Sequence, residues 1–253
     1  MKTIIITGGT SGIGFDIANF FYKKKYNISI AGVLTKPQLL KLKKTFSVNQ
    51  SLILNLDLIK KNNIKKFVNL TKKKFKNIDI LVNCAGKQHV SPICKFSDKI
   101  WEYIININLN TPFKMIKEVL PIMRKNKWGR IINISSAHGV VASHFKAAYV
   151  SSKHGLVGLT KVVALETAKE KITCNAIGPG FVDTELVRKQ IKDLAFKKSI
   201  SFKKAKDRLL NKHATNDFVK KKDVSSLVYY LTTDEASQIT GSNLIIDGGW
   251  TAQ

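Results

Sequence analysis

The chain has 253 residues, 44% of them hydrophobic, and a formal net charge of +26 from 43 basic against 17 acidic residues. That length and apolar share suit one globular domain, residues 1–253, with a large core, and exclude a disordered or low-complexity chain. Cys84, Cys94 and Cys174 show no paired spacing, which argues against a disulfide framework and for a reducing, cytoplasmic setting.

The first apolar, β-branched run, Lys2–Thr7, is too short for a signal peptide and reads as a strand. It leads into Thr7-Gly8-Gly9-Thr10-Ser11-Gly12-Ile13-Gly14 and then into helical periodicity over Ile13–Tyr26. Glycines permit a tight turn and close backbone approach, while the helix N-terminus offers unpaired N–H groups to a pyrophosphate. The strand–turn–helix context marks a dinucleotide-binding turn, although Gly8-x3-Gly12-x-Gly14 departs from the common G-x-G-x-x-G. After the second strand, Asn27–Val33, the chain reads Ala31-Gly32-Val33-Leu34-Thr35-Lys36. It lacks the acid that would bind an NAD ribose, so these residues leave NAD and NADP open. The third strand, Ser51–Asp57, ends beside Leu58, with Asp57 either facing an adenine amino group or capping the helix that follows.

Helical periodicity over Lys60–Phe75 precedes the fourth strand, Ile78–Asn83, which runs into Asn83-Cys84-Ala85-Gly86. The next helical stretch, Lys99–Lys125, carries Asn108 between Ile107 and Leu109; a poor helix former there needs a buried or chemical reason. Ser135 and Ser136 close the fifth strand, Arg130–Ser135, where a hydroxyl can orient a reacting oxygen. The helix Tyr149–Ala168 then places Tyr149 and Lys153 on one face, i and i+4. A neighbouring ammonium lowers a phenol's pKa from its ordinary value of about 10, which suits proton exchange with a hydroxyl. By itself the same spacing usually describes a solvated helix face. The sixth strand is Ile172–Ile177 and the seventh Asn243–Asp247; between them, Thr184–Ala214 is lysine-rich and helical. That insertion reads as a mobile substrate lid or as an ordinary surface helix pair.

Strands separated by helices predict an α/β chain with a doubly wound, Rossmann-like parallel sheet of seven strands and ligands beyond their carboxyl ends. The chain resembles the short-chain dehydrogenase/reductase family along its whole length. The resemblance rests on Thr7-Gly8-x3-Gly12-x-Gly14, Asn83-x-Ala85-Gly86, Asn108, Ser136, Tyr149-x3-Lys153 and Pro179-Gly180. It implies that Ser136 positions the substrate oxygen, Tyr149 is the general acid/base, and Lys153 binds the nicotinamide ribose and lowers the tyrosine pKa. It further implies that Asn108 holds a water of the proton relay, and that Pro179, Gly180, Val182 and Thr184 border the nicotinamide. Cys84 departs from the second asparagine usual in Asn-Asn-Ala-Gly, and Gly178 stands where many relatives carry cysteine.

Other segments resemble the branch of that family that oxidises D-3-hydroxybutyrate to acetoacetate with NAD. They are Gln88-His89-Val90, the run Ser136–Ser143, Lys146-Ala147-Ala148-Tyr149, Gly155–Ala168 and Asp247–Gln253. This likeness implies that Gln88, His138, Lys146 and Gln190 hold a substrate carboxylate and that Trp250 lines the small pocket. It also implies NAD as the cofactor and a homotetramer; the family's occasional divalent ion near the C-terminus has no ligand cluster in the sequence to show it, so no metal ligand is assigned. His89 and His144 read as loop residues.

Two other functions fit the sequence less well. A 3-oxoacyl-thioester reductase of the same family has no carboxylate for that basic and amide set to bind. A non-enzymatic, nucleotide-binding regulatory protein, associated with nucleic acid through its charge, leaves the Asn108/Ser136/Tyr149/Lys153 set unexplained. Only four of the basic residues are arginine, the residue favoured for base and phosphate contacts. The scattered lysines accompany abundant Asn and Ile, all with A/T-rich codons, so base composition accounts for the charge. We therefore expect a small-molecule substrate and neither nucleic acid nor membrane as partner.

Overall fold

The computed structural model describes residues 1–252; Gln253, part of the terminal resemblance, lies outside the described residues. Ile4, Ile5 and Ile6 lose all exposure in β1 (Thr3–Thr7), because a central parallel strand is covered on both faces. Side chains alternate along it. Ile4 and Ile6 pack with Ile17 and Phe21 of α1 (Gly12–Lys23), whereas Ile5 joins the opposite cluster with Phe67 of α3 (Asn63–Phe75). Each fully buried isoleucine stabilises the fold by about 1.5–3 kcal/mol.

The remaining strands are β2 (Asn27–Gly32), β3 (Ser51–Asn55), β4 (Ile80–Asn83), β5 (Gly129–Ile134), β6 (Ile172–Pro179) and β7 (Asn243–Ile246). All seven expected strands are present, in the parallel order β3-β2-β1-β4-β5-β6-β7. The order reverses between β1 and β4, which opens a crevice at their carboxyl ends. Register levels that rim: Thr7 pairs with Asn83, and Asn83 with Asn133.

Several boundaries differ from the sequence reading. β3 stops at Asn55, and α3 starts at Asn63 with Asn62 in the cap position, so Asp57 is not that helix's cap. The Lys99–Lys125 stretch divides into α4 (Asp98–Ile105), a π-helical turn (Asn106–Asn110) and α5 (Thr111–Lys125). Two helices escaped the periodicity reading, α2 (Lys36–Thr45) and α9 (Lys221–Tyr230). The long helix α6 (Ala147–Glu166) begins two residues before Tyr149.

The expected helical insertion is present as α7 (Glu185–Lys198) and α8 (Phe202–Leu210). Thr184 caps α7 by accepting the Val187 N–H at 3.4 Å, and Asp183 binds Arg188 in a bidentate pair at 2.7 and 2.8 Å. Val187, Ile191, Ala205 and Leu209 form a small apolar cluster with Phe181 and Trp250. That cluster ties the insertion to the carboxyl end of the sheet.

Candidate active site

The carboxyl-end crevice is a cleft of about 540 Å³. At one end lies the glycine turn. Gly8 and Gly12 take φ of +69° and +55°, and a Cβ on Gly8 would meet the Ala85 backbone at 2.7 Å. Ser11, at the N-cap of α1, makes no side-chain cap bond, and the first turn has no acidic residue. The helix therefore turns unpaired N–H groups and partial positive charge into the cleft, which fits a pyrophosphate. Thr10, Ser11, Ile13, Gly14, Asp57 and Leu58 share this wall.

Thr7 and Asn83 act from below it. The Thr7 hydroxyl accepts the Cys84 and Ala85 N–H groups at 3.1 and 3.2 Å, fixing the loop that presents Ala85 and Gly86. Asn83 is buried and donates to Asn133 at 2.8 Å. Where the second strand ends, Gly32, Val33 and Gln38 line the cleft, and Thr35 forms a capping box with Gln38.

The remaining predicted residues, Ser136, His138, Lys146, Tyr149, Lys153, Pro179, Gly180, Val182, Thr184, Gln88, Gln190 and Trp250, also line the cleft, with Thr184 standing beside Gly12 of the glycine turn. Asn108 does not line it but supports it. The π turn directs its amide inward, where it accepts the Lys87 N–H at 2.9 Å and donates to the Lys87 carbonyl and Ser152 hydroxyl at 3.0 Å. A Cβ built on Gly86 would stand 3.3 Å from Asn108 Oδ1 and 3.9 Å from Lys153 Nζ, so both groups border one small space.

Electrostatics in the cleft follow burial. Lys153 donates to the Ile134 carbonyl at 2.7 Å, and burial pushes its pKa down to about 8. Tyr149 is shifted upward: burial dominates, a hydrogen bond with Ser136 pulls it back, and Cys84 adds a rise. Burial thus outweighs the expected lowering in the protein alone, and Lys153 is not among the causes of the shift. The ammonium is aimed at Ile134, with its nitrogen 5.6 Å from the tyrosine ring centre. Burial also pushes the Cys84 thiol up to about 12, keeping it un-ionised despite Lys153 nearby.

Lys146 is nearly buried and makes no ion pair among the described residues. Burial, then Lys212, pushes its pKa down to about 8. Gln88 Nε2 donates to Gln190 Oε1 at 2.9 Å, joining the loop after β4 to α7. Trp250 packs edge-on against His138 at 4.9 Å and stacks on Phe181 at 4.9 Å. Phe181 was not predicted, although it directly follows Pro179-Gly180 at the end of β6. Buried His213 supports it by stacking on its ring at 5.4 Å and accepting the Phe181 N–H at 2.9 Å. His89 packs on Phe96 at 5.5 Å outside the set.

The short chain dehydrogenase family model matches residues 2–195. The chain belongs to the short-chain dehydrogenase family. It is thus an oxidoreductase on a nicotinamide-type fold. This short-chain dehydrogenase is 43% identical to "D-beta-hydroxybutyrate dehydrogenase" of Rhizobium meliloti, over 100% of this chain and 99% of the relative. It is 40% identical to the enzyme of that name from Cupriavidus necator, over 100% and 98%. Among solved structures it is similar to "ElxO with NADP Bound" (TM-score 0.89, 30% identity, covering 100% and 99%). It is also similar to "4-hydroxyisoleucine dehydrogenase complexed with NADH" (TM-score 0.82, 31% identity, covering 100% of both). Those two structures hold different nicotinamide nucleotides, which supports a nicotinamide cofactor for the family fold. Among the described residues no group of His, Cys, Asp and Glu has the makings of a metal site, and no helix is long and apolar enough to cross a membrane.

Proposed function

We propose that this short-chain dehydrogenase oxidises D-3-hydroxybutyrate reversibly to acetoacetate with NAD. The observation that carries the reading is Lys146: a nearly buried ammonium without an ion pair among the described residues, at the end of the cleft that holds Tyr149. An unpaired buried charge is costly, and a substrate carboxylate offsets that cost. Gln88 and Gln190 supply further donors, with His138 beside them and Trp250 closing the space left for a methyl group. The two hydroxybutyrate-dehydrogenase relatives support the same substrate.

The bound nicotinamide supplies the hydride acceptor. The glycine turn and the N-terminus of α1 would hold its pyrophosphate, Asp57 and Leu58 would flank the adenine, and Pro179, Gly180, Val182 and Thr184 would border the nicotinamide end. NAD is favoured over NADP because Gly32, Val33 and Gln38 offer no guanidinium to grip a ribose phosphate. In oxidation Ser136 holds the hydroxyl oxygen while Tyr149 Oη takes its proton. Lys153 holds the ribose and, when charged, steadies the phenolate. Asn108, bracing Lys87 beside the Lys153 ammonium, keeps the proton exit to solvent in place.

Replacing Lys146 by Met tests the carboxylate contact. A lost charge-assisted hydrogen bond of about 1.5–3 kcal/mol raises KM for D-3-hydroxybutyrate by roughly 10–100-fold with little change in kcat. An unchanged KM would sink the proposed contact.

A further inference from the structure

A second hydrogen-bonded chain leaves the centre through Ser136. Ser136 bonds to Tyr149 on one side. On the other, its Oγ accepts the His138 backbone N–H at 3.2 Å and lies 3.4 Å from His138 Nδ1. His138 Nε2 lies 2.9 Å from Ser143 Oγ, and Lys212 Nζ donates to that same oxygen at 2.9 Å. The chain Tyr149–Ser136–His138–Ser143–Lys212 therefore links the loop after β5 to the segment after α8.

Donor and acceptor rules give this chain a direction. An ammonium only donates, so Ser143 Oγ is the acceptor in that contact. The positive charge turns the Ser143 hydroxyl hydrogen away from Lys212 and toward His138 Nε2. Burial first, then Lys146, Lys212 and His154, pushes the His138 pKa down to about 3, so its ring carries one proton. With Nε2 accepting, that proton sits on Nδ1 and is donated to Ser136 Oγ. Ser136 then accepts from His138 through both the backbone and the ring, and its own hydrogen is left for Tyr149 and the reacting oxygen, with the Pro179 carbonyl at 3.5 Å as the other acceptor in reach.

We propose that Ser143 and Lys212 are positioning residues: through His138 they make Ser136 a committed hydrogen-bond donor to the oxygen on which negative charge develops. A donor already aimed at that charge stabilises the transition state without reorganising during the reaction. The proposal rests on the reading of Ser136 and Tyr149 as the acid/base centre. It gives His138 a role in aligning Ser136 that does not depend on touching the carboxylate.

The test combines nitrogen-15 NMR of histidine-labelled full-length protein with steady-state kinetics. A His138→Gln variant assigns the resonance. The wild type is expected to carry the His138 proton on Nδ1, and Ser143→Ala and Lys212→Met to shift it toward Nε2. In Ser143→Ala, kcat for D-3-hydroxybutyrate falls about tenfold, the equivalent of one hydrogen bond, while KM stays nearly constant. Ser143→Thr and Lys212→Arg, which keep the hydroxyl and the charge, restore the tautomer and the rate. A wild-type proton on Nε2, or an unchanged kcat in Ser143→Ala, overturns the proposal. The tautomer is read without substrate, so failure to oxidise D-3-hydroxybutyrate would overturn the substrate assignment and leave the NMR result to decide this one.

Discussion

Tyr149 sits between opposing influences, with burial and Cys84 raising its pKa and the Ser136 hydrogen bond lowering it. The net shift is upward, so the free enzyme keeps a protonated phenol through neutral pH. Oxidation needs the deprotonated form, and reduction the protonated one. We therefore expect kcat/KM for oxidation to rise from neutral pH toward about 8, above which Lys146 loses the charge that holds the carboxylate, and that for reduction to show no fall from Tyr149 over the same range, since kcat/KM reports the free enzyme's acid and base. Tyr149→Phe should lose at least about 10²-fold in kcat while binding the nucleotide as before. A flat pH profile for oxidation, or an active phenylalanine variant, would contradict the role. At this scale the sequence was legible where spacing carries chemistry: Tyr149, Lys153 and Ser136 meet as their positions suggest, and Asn108 is buried in a π turn. It was silent on Ser143 and Lys212. Their contact spans 69 residues, and one lysine among so many gives no local signal. The direction of the tyrosine shift was also illegible, because desolvation depends on the assembled walls of the cleft.

Helix α6 carries the reacting pair near its start and an apolar face farther along. Leu165 is 79% exposed and Val162 53%, a poor arrangement for a lone chain in water. Phe113 on α5, with Trp101 and Tyr103 on α4, are likewise partly exposed. We propose that a second copy covers the α6 face in a homotetramer. Light scattering should then give a tetramer for the wild type and smaller species for Leu165→Lys, since a charge buried in such an interface destabilises it. A wild-type monomer would refute this. Elements with strong apolar patterns, the seven strands above all, were legible within one or two residues at most of their ends. Helix α2 was not, because only Leu42 is buried along it and an exposed helix leaves no apolar period; its Thr35/Gln38 capping box was the available signal. The insertion announced itself by breaking the alternation of strand and helix.

For the whole molecule, the reversal of strand order between β1 and β4 gathers residues from Gly8 to Trp250 around one cleft. A net charge of +26 gives the molecule a positive field that helps collect an anionic acid. Such steering weakens with added salt, so the on-rate advantage belongs to low ionic strength. In the proposed function the cleft oxidises a small D-hydroxy acid held by its carboxylate. The most direct measurement supplies purified wild-type protein with NAD and D-3-hydroxybutyrate and follows reduced nicotinamide and acetoacetate together. We predict equal amounts of both products, no turnover of the L-isomer, and far weaker activity with NADP. No turnover of the D-isomer, alongside reduction of a 3-oxoacyl thioester, would contradict the account.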